Sequence, residues 1–175
     1  MKIIFLDVDG ELTYSDYDNP ETEDIDIEKV KLLKQICDET NAKVVISSSW
    51  RGTKDWTPRF YYTLIDILKD NNIEVLGDLP YIAPEIIKDD SVSDLVALSV
   101  VEALDIKMKY GTGRAAEVKQ WLSEHKIDNF VILDDEDWQW SDYGYENNWI
   151  RPTWFGDGGL KQEHVEDAIR ILKGE

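Results

Sequence analysis

The chain begins with an uninterrupted apolar run, Ile3-Ile4-Phe5-Leu6, that stops at Asp7-Val8-Asp9-Gly10. A strand with one wet face alternates apolar and polar residues. An unbroken run of branched and aromatic side chains instead suits a strand covered on both faces. Such strands belong to parallel sheets flanked by helices. The first ten residues therefore restrict the chain to an α/β architecture. They also set two carboxylates at the carboxyl end of its first strand.

The rest of the sequence repeats the alternation of strand and helix. Strands are predicted over Lys2 to Asp7, Ala42 to Ser47, Ile73 to Leu76 and Asn129 to Asp134. A further edge strand is expected over Ile150 to Phe155, because Pro152 lacks the N–H that a central strand needs. Helical spacing of apolar residues predicts helices over Ile27 to Thr40, Ser91 to Asp105, Arg114 to Glu124 and Lys161 to Lys173. Thr57-Pro58 opens another that runs to about Asp70, with proline at the first helical position. Gly77 to Asp90, with Pro80 and Pro84, reads as irregular, and Gly111-Thr112-Gly113 as a break before the next helix.

The expected fold is a three-layer, Rossmann-like α/β domain with a mostly parallel sheet, spanning residues 1–175 as one unit. Thr13 to Asp26 is too short for a helical cap. Residues 77–105 have room for a small lid or insertion, but not for a second domain.

In such sheets ligands bind at the carboxyl ends of the strands, and the polar residues of this chain gather there. Asp7 and Asp9 are two apart on one strand and share a side of it. Two adjacent carboxylates repel unless one is protonated or a cation lies between them, which suits Mg²⁺ and a phosphate. Ser47-Ser48-Ser49 follows the second strand and offers hydroxyl donors to a phosphate oxygen. Trp50-Arg51 adds a cation for a phosphate or an acidic neighbour. Arg114 opens a helix and is placed to neutralise a carboxylate or clamp a phosphoryl group, with Lys107, Lys109 and Lys119 as nearby alternatives. Asp134 and Asp135 end another strand and point to opposite faces, so one is expected to reach a metal directly.

These motifs resemble those of the haloacid dehalogenase-like (HAD) phosphatase superfamily. Asp7-Val-Asp9-Gly10-Glu-Leu-Thr13 is similar to its first motif and Val44-Val45-Ile46-Ser47 to its second. Arg114 fits its basic third motif, which is often lysine, and Ile132-Leu133-Asp134-Asp135 its fourth. More narrowly, Ser47 to Arg51, Arg114 to Leu122 and Gly159-Leu160 are similar to small uncapped HAD domains related to bacterial and phage RNA-repair proteins. The resemblance implies a Mg²⁺-dependent phosphatase working through an aspartyl-phosphate. Asp7 would be the nucleophile and Asp9 the acid and base. Ser47, with Ser48 as the alternative, Gly10 and Arg51 would bind the substrate phosphate. Arg114 would balance charge, and Asp7, Asp9, Asp134 and Asp135 would hold the metal.

The net charge of −18 disfavours stable binding to a nucleic-acid strand, although a phosphorylated end or a small phosphate ester remains open as substrate. A non-catalytic acidic binding module and a phosphotransferase are the alternatives. The lone cysteine, Cys37, falls at a helical core position and excludes a disulfide framework. No apolar run approaches a membrane span, and Asp7 comes too early for a signal peptide. A cytoplasmic location is expected. Four of the seven tryptophans, Trp138, Trp140, Trp149 and Trp154, follow the last acidic motif. They either pin the long loop by burying large area or stack a base. The scarcity of basic residues around them favours pinning.

Overall fold

The computed structural model describes residues 1–14, 24–54, 57–82, 109, 111 and 113–175. Five strands form one sheet: β1 (Lys2–Leu6), β2 (Lys43–Ile46), β3 (Val75–Asp78), β4 (Asn129–Leu133) and β5 (Trp149–Ile150). Their order is β3-β2-β1-β4-β5 and every neighbouring pair is parallel. The helices are α1 (Ile27–Thr40), α2 (Pro58–Asp70), α3 (Arg114–Glu124) and α4 (Gln162–Lys173).

The period-two geometry of a strand splits the apolar run of β1 between two cores. Ile4 and Leu6, with Val44, Ile46, Val131 and Leu133, meet α1, α2 and α4 through Val30, Leu33, Leu64, Leu68, Val165 and Ala168. Ile3 and Phe5, with Val45 and Ile132, meet α3 through Ala115, Val118 and Trp121. Phe5 packs edge-on against Trp121, with centroids 5.4 Å apart. Each such side chain contributes about 1.5–3 kcal/mol on burial. That favours apolar side chains at the four fully buried positions Ile3 to Leu6, with Lys2 at the half-buried start of β1. The result is the three-layer, Rossmann-like α/β fold.

Local signals set the helix ends. Asp26 caps α1 by accepting from the Glu28 N–H at 2.8 Å, and Asn41 closes it in the left-handed conformation. Pro58 starts α2.

β1, β2 and β4 fall within one residue of their expected bounds at each end, and two strands differ by more. β3 lies at Val75–Asp78, shifted from Ile73 to Leu76, so Gly77 and Asp78 belong to the sheet and not to an irregular segment. The register jumps from Val44↔Val75 to Val45↔Gly77, leaving Leu76 bulged out and 42% exposed. Gly77 adopts φ +143°, a conformation that suits a bulge and favours glycine. β5 has only two residues, Trp149–Ile150, because the chain leaves the sheet ahead of Pro152.

The expected helix over Ser91 to Asp105, and the expected lid from residue 83 onward, lie outside the described residues. Among the described residues, no helix is long and apolar enough to cross a membrane.

Candidate active site

β1 occupies the centre of the sheet. The chain adds β2 and β3 on one side of it, then crosses to add β4 and β5 on the other. That reversal opens a crevice at the carboxyl ends of β1 and β4, where parallel sheets hold ligands. Asp7 follows β1 and Asp134 follows β4. The Asp7 N–H still donates to the Leu133 carbonyl at 2.9 Å, so the ladder itself fixes the two carboxylates beside each other.

Arg114, the first residue of α3, reaches both. Its Nη1 donates to Asp7 Oδ2 at 2.6 Å and to Asp134 Oδ2 at 3.1 Å. All three side chains are buried or nearly so. Burial opposes the charge on Arg114, but Asp7 and Asp134 outweigh it and hold the guanidinium protonated beyond its ordinary range. Asp134 also accepts from the Glu136 N–H at 3.0 Å and from Trp138 Nε1 at 3.2 Å, both at Oδ1. Burial and then Asp7 push its pKa upward. One guanidinium between two carboxylates leaves a net negative charge, so burial is not fully compensated there.

Asp9 sits in a tight loop that curls round the Val8 carbonyl, which accepts from the N–H groups of Leu12 at 2.9 Å and Thr13 at 3.1 Å. Its Oδ1 accepts from Thr13 Oγ1 and its Oδ2 from Trp50 Nε1, each at 3.0 Å. Burial and the charge of Asp7 raise its pKa against the opposing effect of these donors.

The same loop carries Glu11, which the sequence motifs did not single out. It is fully buried, and neither carboxylate oxygen has a hydrogen-bond partner. Burial first, then Asp7, Asp134 and Asp135, push its pKa well above normal. One oxygen each from Asp7, Glu11 and Asp135 lie within 4.8 Å of one another. Burial and then Asp7 raise Asp135 to about 6. An all-oxygen, acidic donor set with one wholly unpartnered buried carboxyl fits a hard divalent cation such as Mg²⁺. Gly10 makes the close approach possible. It has φ +89°, and a Cβ there would lie 2.5 Å from Asp135 Cγ. The signal available in sequence was an acid inside a segment otherwise buried, between Val8 and Leu12.

The geometry thus brings Asp7, Asp9, Arg114 and Asp135 around one cavity of about 580 Å³. The structure sets Asp134 on Arg114 and joins Glu11 to Asp7 and Asp135. Of the three serines, Ser49 lines the cavity, while Ser47 and Ser48 are buried behind it. Ser47 Oγ has no partner, and Ser48 Oγ accepts from the Trp50 N–H at 3.3 Å. Arg51 meets an acidic neighbour: it pairs with Glu117 of α3 in a buried contact and stands outside the cavity lining. Among the basic alternatives, Lys119 sits over the Tyr143 ring at 5.5 Å and Lys107 lies outside the described residues.

The aromatic loop divides in two. Trp140 is fully buried and donates to the Glu136 carbonyl at 3.0 Å, while Trp149 donates to the Asp134 carbonyl at 2.6 Å. Trp138 lies against Arg114, with the guanidinium 4.8 Å from its ring centroid. These three pin the strand-end acids. Trp154 lines the cavity, as Trp138 also does. A larger depression of about 770 Å³, bordered by Asn129, Trp149 and α4, shares no residue with the acids.

An all-parallel sheet with acids and a helix-borne cation at its carboxyl edge defines a HAD-type α/β domain, the fold of a superfamily of phosphohydrolases. A family model for the HAD domain in Swiss Army Knife RNA repair proteins matches residues 3–165, and the chain belongs to that family. No curated protein and no solved structure matches it.

Proposed function

We propose that the chain is a Mg²⁺-dependent phosphatase that hydrolyses a phosphate monoester through an aspartyl-phosphate on Asp7, with a phosphorylated nucleic-acid end as its substrate. The observation that carries this reading is the pairing of Asp7 and Asp9 on one cavity. The first carboxylate is held by a buried cation, and the second is biased toward its protonated form. The family description supports the substrate class.

Asp7 attacks phosphorus in line with the ester oxygen. Arg114 and the Val8 N–H, which donates to Asp7 Oδ1 at 2.7 Å, fix the attacking carboxylate. As the ester P–O bond breaks, the Asp9 carboxyl gives its proton to the leaving oxygen. Thr13 and Trp50 hold that carboxyl in place. Asp9, now ionised, takes a proton from water, whose oxygen then attacks phosphorus and releases Asp7 and inorganic phosphate. A bound divalent cation supplies neutralisation of the phosphoryl oxygens, and Asp7, Glu11 and Asp135 would hold it. Ser49, the serine that lines the cavity, is placed as a further hydroxyl donor for a phosphate oxygen.

The test is turnover of an aryl phosphate and of 3′-phosphorylated oligonucleotides, with and without Mg²⁺. Metal-dependent release of phosphate that Asp7→Asn abolishes is expected. Absence of turnover across a broad panel of esters would overturn the reading.

A further inference from the structure

Part of the cavity lining is aromatic, and the mechanism above makes no use of it. Trp138, Trp154 and Phe155 form that part, and Phe155 is 59% exposed at the rim. Trp138 is committed to Asp134 and Arg114, as described. Trp154 and Phe155 follow Pro152, where the chain has left the sheet, and they sit on a short closed loop. The Gly159 N–H donates to the Thr153 carbonyl at 2.9 Å, and the Leu160 N–H to the Glu11 carbonyl at 2.9 Å. The loop is therefore tied to the same turn that carries Asp9 and Glu11. Gly158 lets it close: a Cβ there would lie 2.9 Å from the Tyr14 Cβ. Trp154 and Phe155 therefore give the cavity, beside its acids, a flat aromatic surface of the kind that takes a base.

Charge narrows the occupant. Among the described residues that line the cavity, Arg114 is the one cation, and it is already shared between Asp7 and Asp134. No second cation in that lining is available for the phosphates of a following strand, and the net charge of −18 opposes a polyanion. A single terminal phosphate at the acids and a single base on the aromatic surface satisfy both parts of the lining.

We infer that Trp154 and Phe155 form a stacking platform for the base of the nucleotide that carries the scissile phosphate. The site then reads the end of a nucleic acid and ignores its strand. This rests on the proposed phosphatase reading for the position of the phosphate. Stacking of one base on an aromatic side chain changes affinity by roughly five-fold to more than 100-fold.

The experiment measures equilibrium binding, which does not require turnover. Asp7→Asn protein with Mg²⁺ is titrated by calorimetry with a nucleoside 3′-monophosphate, with glycerol phosphate, and with 3′-phosphorylated oligonucleotides of increasing length. The nucleotide is expected to bind about ten-fold or more tightly than glycerol phosphate. Added length should change affinity little, and added salt should weaken it only slightly. Trp154→Ala and Phe155→Ala should each shrink the nucleotide preference, while Trp154→Phe, which keeps a ring, should retain most of it. Equal affinities for nucleotide and glycerol phosphate would overturn the inference. So would a preference that survives both alanine variants, or an affinity that climbs with length and collapses in salt. If the wild-type chain turns over no ester yet the preference is present, the phosphatase reading fails and the platform stands. If it turns over both ester classes and the preference is absent, the platform alone fails.

Discussion

Arg114 Nη1 lies 2.6 Å from Asp7 Oδ2, an ion pair between the start of α3 and the end of β1 whose partners are 107 residues apart in sequence. The pair does two jobs. It sets a cation against a buried carboxylate, and it closes the α3 side of the cavity on the strand ends. Arg114→Ala should therefore reduce both activity and stability. Removing one partner of a buried pair costs about 3–5 kcal/mol because the remaining charge is left unmatched. Here two carboxylates, Asp7 and Asp134, would be stranded. Thermal or urea unfolding measures the loss. Arg114→Lys should recover part of it, since an ammonium supplies the charge but not the planar guanidinium that lies against Trp138.

Asp9 is expected to show its role through the leaving group. A general acid contributes about 10²–10⁴-fold, and most where the departing oxygen is basic. Asp9→Asn should depress kcat/KM, which reports the first transfer, strongly for alkyl phosphates and far less for a nitrophenyl phosphate, whose oxygen leaves without help, while kcat falls on both because Asp9 also activates the water. An equal loss of kcat/KM on both esters would remove Asp9 from the role of acid to the leaving oxygen. Trp50→Phe, which removes the donor to Asp9 Oδ2, should give a weaker version of the same pattern.

The acid cluster makes stability depend on pH in a direction that metal reverses. Burial raises the pKa values of Glu11 and Asp135, the latter to about 6. In the folded chain these groups keep protons at pH values where the unfolded chain has lost them. The folded state binds more protons, so its stability is greatest below the ordinary carboxylate range and falls as pH rises. For Asp135 the fall is complete once pH passes about 6, and for Glu11 it extends further. The metal-free protein should therefore melt at a lower temperature at pH 8 than at pH 5. Mg²⁺ should raise Tm more at pH 8, where it has fewer protons to displace from Glu11 and Asp135. Each 1 kcal/mol corresponds to about 2–4 °C in a domain of this size. Scanning fluorimetry with and without Mg²⁺ checks both signs.

The main features of this architecture were legible because they depend on short-range patterns. The unbroken run Ile3 to Leu6 demanded two covered faces, and the sheet supplies them. α1 begins and ends where its apolar spacing places it, and the structure adds Asp26 as its cap. The bulge at Leu76 was not legible, since it arises from register against β2 and a glycine conformation that no local pattern encodes. The assembly of the site was legible in part. Asp7, Asp9 and Arg114 were visible as acids and a cation at element ends. Glu11 was hidden because its neighbours Asp134 and Asp135 lie more than a hundred residues away, and its burial depends on Leu160 returning to its carbonyl. Arg51 could serve either a phosphate or an acid, and only the packing of α3 shows that Glu117 engages it.

Gly10 separates the fold from the site most cleanly. Its φ of +89° is strained for any L side chain, and a Cβ would approach Asp135 Cγ to 2.5 Å and Asp135 Cβ to 2.6 Å. Something must move, and the Val8 turn is tied down by three N–H donors, from Glu11, Leu12 and Thr13. The Asp135 side chain is the freer partner, being only part-buried. Gly10→Ala should therefore push Asp135 out of reach of Glu11 and Asp7, weakening divalent-cation binding while leaving the sheet intact. Glu11→Gln provides the contrast. It removes a ligand charge without crowding, so it should also weaken cation binding. It should not lower metal-free stability as Gly10→Ala does, and at pH 8 it should raise it, because a neutral amide avoids ionising in a buried site. Calorimetric titration with Mg²⁺, together with melting of the metal-free proteins, reads both quantities. If Gly10→Ala bound Mg²⁺ as tightly as the wild type, Asp135 would not be a ligand.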